Sequence, residues 1–209
     1  MRTSTAIKAL LATTALTPLL CHAESTVTTG AASPLTATAH LDFAITIPKF
    51  IFVRINSGTG NGSGGWATGG TIDQIAWAPT AAQVGTGPLA PTAGGDIATG
   101  VSTAAVVGNN GNITFGTTTT GTLNDTTGDS ISFATITAAT AHLSTGTTLA
   151  FPGMLDGATN NITLTAVGKV VQQDAKWTWS YANATVPPQG VYGGVNTNNS
   201  RVTFTASEP

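Results

Sequence analysis

His40 and Asp42 stand two positions apart in LTATAHLDFAITIPKFIFVRI, residues 35–55. On an extended backbone, positions i and i+2 share a face. The pair can therefore interact or bind a metal weakly, and it reads first as a solvated or subunit-facing pair. Asn124–Asp129, NDTTGD, sets two carboxylates and an amide around a glycine. Such oxygens suit Ca²⁺ but fall short of the EF-hand spacing. Asp125 and Asp129 are thus weak calcium candidates, with a plain turn as the first reading. Gly60, Gly62 and Gly65 match the dinucleotide fingerprint, but that motif needs a helix to offer its N-terminus to the pyrophosphate. Trp66-Ala67-Thr68-Gly69-Gly70 makes a poor helix start, so the glycines read as a surface loop. Trp177, Trp179 and Tyr181 form a row at strand spacing, which suits sugar stacking if exposed and a core or interface otherwise. Neither G-x-S-x-G nor H-E-x-x-H occurs. No catalytic constellation can be assembled, and no cofactor is expected.

The elements that position these residues are strands. About a fifth of the chain is Thr, with many Gly, Ala and Asn and few charges. Thr favours strands through its branched Cβ, and Gly and Asn favour turns. Leu35 to Ile47 is apolar at every odd position, Leu35, Ala37, Ala39, Leu41, Phe43, Ile45 and Ile47. Pro48 interrupts the pairing, and Phe50 to Ile55 continues as a buried strand. Further strands are expected around Ile72, Ile75 and Trp77, then on either side of Asn110-Gly111, a pair that suits a type I′ hairpin. Others follow at Ile131 to Ile136, at Ile162, Leu164 and Ala166, at Trp177 to Tyr181, and at Val202, Phe204 and Ala206. LAFPGMLDG, residues 149–157, reads as a loop with an apolar plug. Short strands separated by turn residues predict an all-β fold, a sandwich or barrel.

The N-terminus reads as a leader. Arg2 and Lys8 precede an apolar run, Ala9 to Leu20, followed by Cys21-His22-Ala23. This describes a secretory signal peptide, 1–23, cut after Ala23. The run is too short for a membrane span, which needs about 20 apolar residues. Cleavage removes the only cysteine and leaves five basic against nine acidic residues, a net charge of −4. Without a basic cluster, nucleic acid is not an expected partner. The remaining length suits one domain with a real core.

LDFAITIPKFIFVRI, GNNGNITF, KWTWSYANA, the P-x-G-V-Y-G-G pattern and the terminal RVTFTASEP together resemble a group of secreted proteobacterial proteins. In architecture these are similar to fimbrial subunits. The resemblance implies an immunoglobulin-like antiparallel β-sandwich with long Gly/Thr/Pro loops, completed by an alternating N-terminal strand from the next subunit. It also implies a periplasmic chaperone and an outer-membrane secretion component as partners. The chain departs from that family in Glu208, where an aromatic is usual, and in lacking a cysteine pair. Self-assembly without a dedicated chaperone is the resulting variant.

The expected organisation is residues 24–39 as an extension and candidate donor strand, and 40–209 as the sandwich domain. Val27, Leu35, Ala37, Ala39 and Leu41 are the candidate interface. Leu41 to Ile55 is expected in its own subunit's core. Phe43, Ile45, Phe52, Ile113, Phe115, Leu164, Val202 and Phe204 are expected to be mostly buried. The function expected is a non-enzymatic subunit of a secreted homopolymeric filament serving adhesion, biofilm or protection. The alternative is a monomeric secreted module that binds carbohydrate or another surface.

Overall fold

The computed structural model describes residues 25–31, 33–56, 72–144 and 147–209. Residues 1–23, expected to be a leader, and the loop carrying Gly60, Gly62 and Gly65 lie outside the described residues. The chain divides into two units, one ending at Ile47 and the other comprising Pro48–Pro209.

The second unit is all β. Its strands are β1 (Ile51–Ile55), β2 (Val101–Gly108), β3 (Ile113–Thr118), β4 (Leu123–Asn124), β5 (Ser130–Ile131), β6 (Ile136–Ala141), β7 (Thr147–Thr148), β8 (Thr159–Leu164), β9 (Val171–Tyr181) and β10 (Thr203–Ser207). One sheet runs β1-β2-β9-β6, with β7 also on β9; a second runs β10-β3-β8. Every pairing is antiparallel except β7 with β9. The two-residue strands β4 and β5 pair with each other. Among the described residues the helical content is a single 3₁₀ turn, Phe133–Thr135, capped by the Ser132 hydroxyl. No described helix is long and apolar enough to cross a membrane.

Alternation puts one face of each main strand into a shared core. Ala104 and Val106 of β2 lie there with Val171, Ala175, Trp177 and Trp179 of β9. From the second sheet come Ile113, Phe115 and Leu164, and Phe204 packs against them. Aromatic rings join the two sheets: Trp177 lies 6.4 Å from Phe115 and 5.6 Å from Phe204, centroid to centroid. Phe151 closes the cluster, 5.2 Å from both Trp177 and Trp179. Edge-to-face pairs of this kind contribute about 0.5–1.5 kcal/mol each beyond area burial. A buried indole also needs an acceptor. Trp177 Nε1 donates to the Leu149 carbonyl (3.1 Å) and Trp179 Nε1 to the Ser102 hydroxyl (2.7 Å). The apolar plug of the 149–157 loop is real, with Leu149 and Met154 buried.

Three expectations are corrected. Asn110-Gly111 does not close a hairpin, because β2 and β3 belong to different sheets. The chain instead crosses between sheets there, with Gly111 at φ +120°. Residues 72–77 form an isolated bridge, Ala76 to Ala93, rather than a strand, and Ile72 is exposed. Phe52 is mostly buried as expected, although it is the odd positions of β1, Val53 and Ile55, that pack against the core. The register agrees, since Val53 opposes Val106 and Ile55 opposes Ala104. Val202 and Phe204 are likewise mostly buried, at the margin of the core. The largest correction concerns Leu41–Ile47, which is not core at all.

Candidate functional site

The N-terminal unit is described by itself. Residues 35–47 have no strand partner among the described residues, although their alternation is the most regular in the chain. Leu41, Phe43, Ile45 and Ile47 are 70%, 86%, 87% and 75% exposed. A side chain of this size contributes roughly 1.5–3 kcal/mol when buried. The expected alternating strand over Leu35–Ile47 is not formed, and none of the described structure buries its large apolar residues. Val27 and Leu35 are exposed too, as are Ala37 and Ala39. His40 and Asp42 are exposed, as are the large apolar residues with which they alternate.

In the second unit, β1 pairs only with β2 and β10 only with β3 among the described strands. The other edge of β10 has no partner among the described strands, and β1 and β10 are neighbours in space. One end of this pair of strands is built with care. Asn109, in the crossing loop, donates from Nδ2 to the Pro48 carbonyl (2.8 Å) and accepts at Oδ1 from the Phe50 N–H (3.0 Å). Asn110 donates its backbone N–H to Glu208 Oε2 (3.2 Å) and its side-chain amide to the Pro209 carbonyl (2.5 Å). Lys49 Nζ also donates to the Pro209 carbonyl and lies 4.0 Å from Glu208 Oε1. The Glu208 side chain is 3% exposed. Gly108 makes room for it, because a Cβ there would lie 2.7 Å from Glu208 Oε2. One loop thus holds the start of β1 and the end of β10. Beside this clamp is an open recess of about 550 Å³, lined by Lys49, Phe50, Ile51, Ser207 and Glu208.

The calcium candidates lie in a closed turn. Asp125 Oδ1 accepts the N–H groups of Thr127 (2.9 Å), Gly128 (2.8 Å) and Asp129 (2.9 Å). Its Oδ2 accepts the Thr127 hydroxyl (2.5 Å). That hydroxyl, opposed by burial and helped by the three N–H groups, holds the Asp125 carboxyl below its ordinary range. Donors surround the carboxylate where a cation would need further oxygen ligands. Among the described residues no group of three or more His, Cys, Asp or Glu could hold a metal. Tyr192 lies nearby, its hydroxyl donating to the Pro188 carbonyl (2.7 Å). Burial first, and then the Asp129 and Asp125 carboxylates, raise its pKa.

The Trp row is internal. Trp177 is fully buried, Trp179 is 8% exposed, and Tyr181 packs edge-on against Trp77 at 6.3 Å. It offers no stacking platform for a sugar. A polar cleft of about 360 Å³ elsewhere is lined by Thr118, Thr120, Asn199 and Arg201, among others. Sequence reasoning missed the clamp, although the clustered amides Asn109, Asn110 and Asn112 were its visible trace. Comparison with protein-family models, with curated proteins and with solved structures finds no match to this chain.

Proposed function

We propose that the chain is a structural subunit of an extracellular filament, an incomplete immunoglobulin-like sandwich joined to a second copy by strand exchange. The observation that carries this reading is the exposure of Leu41, Phe43, Ile45 and Ile47, which alternate along the chain with Asp42, Ala44 and Thr46. The outer edge of β10, without a partner among the described strands, offers a place for these side chains. Strand addition satisfies free backbone groups and buries alternate side chains.

The strand order supports the sandwich. A complete immunoglobulin constant-type domain sets strands A-B-E-D in one sheet and G-F-C in the other. Here β1-β2-β9-β6 follows the first order, and β10-β3 follows F-C, with β8 added beyond β3. The position of the closing strand, outside β10, is an edge without a partner among the described strands. The donor is Leu35–Ile47, weighted toward its large residues, rather than residues 24–39 alone. Four such side chains offer roughly 6–12 kcal/mol of burial before the costs of association. Secretion rests on the leader at 1–23, and a filament subunit of this kind needs no catalytic site or cofactor.

Negative-stain electron microscopy of the mature chain, purified alone and with its secretion partners, tests the reading. Filaments are expected. Single particles at all concentrations, under both conditions, would contradict it.

A further inference from the structure

The polar cleft at the Thr203 end of the second sheet has the size and lining of a binding site. We infer that it takes a carboxylate-bearing sugar, such as a uronic or sialic acid unit of an acidic glycan, with Arg201 as the anchor for the carboxylate. The site stands on the single chain and goes beyond strand exchange, so it does not depend on whether subunits polymerise.

The cleft is built from two sides. Thr118 of β3 and Thr203 of β10 are opposed in the ladder. Their neighbour Phe204 packs against the core, so these two Thr side chains stand on the outer face. Thr120 joins them, and the loop 196–201 forms the facing side. That loop is tied down by its own backbone. The Asn124 N–H donates to the Asn198 carbonyl (3.1 Å) and the Ser200 N–H to the Thr197 carbonyl (2.9 Å). The Ser200 hydroxyl donates to the Gly194 carbonyl (2.6 Å). Asn196, Asn198 and Asn199 stand at φ +56°, +49° and +59°, the left-handed region that Asn enters more readily than most residues. Residues held there cluster at ligand sites. The Thr120 hydroxyl donates to Asn199 Oδ1 (3.3 Å) and links the two sides. Gly121 leaves room for that amide, because a Cβ there would lie 2.9 Å from Asn199 Nδ2.

The lining selects the chemistry of the ligand. The volume of about 360 Å³ falls within the roughly 300–1,000 Å³ of small-molecule sites. Such sites are lined mainly by apolar and aromatic side chains, whereas every side chain lining this cleft is Thr, Ser, Asn or Arg. Amides and hydroxyls both donate and accept, which matches the hydroxyl groups of a sugar ring. An apolar ligand or an aliphatic peptide side chain would find little to bury against. A neutral sugar gains affinity by stacking on an aromatic ring, and none lines the cleft. Charge must supply the anchor instead. Arg201 is the one charged residue of the lining. It is exposed and makes no hydrogen bond or ion pair among the described residues. Its fork of donors fits a carboxylate through two parallel hydrogen bonds. A doubly charged phosphate calls for more than one cation, or for a helix N-terminus beside it, and the cleft has neither.

Titration calorimetry of the chain starting at Glu24, monomeric or polymerised, with trigalacturonate and with sialyllactose tests the inference and separates the two sources of the carboxylate. At least one of the two should bind, and its methyl ester should bind about tenfold more weakly or worse. Arg201→Gln should remove binding, and Arg201→Lys should restore only part of it, because an ammonium keeps the charge without the fork. Asn196→Ala should weaken the acidic sugar and leave acetate unaffected. Arg201 and Asn196 are exposed, so the variants should melt as wild type does. Acetate or phosphate binding as tightly as the sugars would overturn the inference in favour of a simple anion site. Equal binding of ester and acid, or unchanged binding by Arg201→Gln, would overturn the anchor. A folded chain that binds neither sugar would remove the site and leave strand exchange untouched.

Discussion

Asn110 and Glu208 lie 98 residues apart in sequence, yet the Asn110 N–H donates to Glu208 Oε2 at 3.2 Å. The bond joins the loop between the two sheets to the end of the last strand. It explains why the penultimate residue is an acid turned inward. A hydrogen bond to a charged acceptor contributes about 1.5–3 kcal/mol, and here the Asn110 amide adds a second contact at Pro209.

Removing the Asn110 side chain should loosen this end without unfolding the domain. Asn110→Ala should cost about 1 kcal/mol and lower Tm by about 2–4 °C in a chain of this length. Gly108→Ala should cost more, about 1–3 kcal/mol, because its Cβ would lie 2.7 Å from Glu208 Oε2 and 2.8 Å from Ile113 Cδ1. Thermal melts of the two variants rank them. A Gly108→Ala protein as stable as wild type would show that Glu208 does not sit where the clamp requires.

The indole of Trp179 depends on Ser102. Ser102→Ala leaves a buried N–H without its acceptor, and should destabilise the protein by about 1–3 kcal/mol. Trp177→Ala removes the ring that touches both sheets and should cost about 3–5 kcal/mol. Urea unfolding with unchanged m-values is the check. Loss of the Ser102 hydroxyl at no cost would mean that Trp179 has another acceptor.

Asp125 ties acid stability to one turn. Its folded carboxyl titrates below the ordinary value. Its contribution is therefore present above the unfolded pKa, about 3.9, and is lost as pH falls through the lower folded value. Asp125→Asn should lower Tm at neutral pH and flatten the decline of Tm below about pH 4. Because N–H and O–H donors already occupy the carboxylate, dialysis against a chelator should leave the melt unchanged. A chelator-dependent drop of more than about 10 °C, well beyond the few degrees expected per kcal/mol, would reveal a metal in this loop.

The strands were legible where alternation and burial coincide. Ile113 and Phe115, Ile162 and Leu164, Trp177 and Trp179, and Phe204 with Ala206 all face the core as their period of two requires. Partners were less legible, because periodicity tells which face is apolar and not what covers it. Asn110-Gly111 carries hairpin chemistry, yet the neighbouring amides tie down Pro48, Phe50 and Pro209, and the chain changes sheet. The two-residue turn with positive φ occurs instead at Gly168 and Lys169, between Val167 and Val170, where valines flank it. Leu41 to Ile47 shows the same limit most clearly. The segment has the strongest strand pattern in the chain and no partner among the described residues.

The central claim is that this segment is completed by another subunit. The direct measurement is assembly of a chain starting at Glu24 and carrying Phe43→Asp and Ile45→Asp, followed by sedimentation velocity and electron microscopy beside the same chain without the substitutions. Both positions are exposed in the single chain, so the monomer should keep its β-sheet circular dichroism and its Tm. Buried in a neighbour, each unpaired charge would cost several kcal/mol, so filaments should be absent. Wild-type filaments alongside a folded, monomeric double variant are the result predicted. A double variant that polymerises as wild type does would contradict strand exchange through Leu41–Ile47.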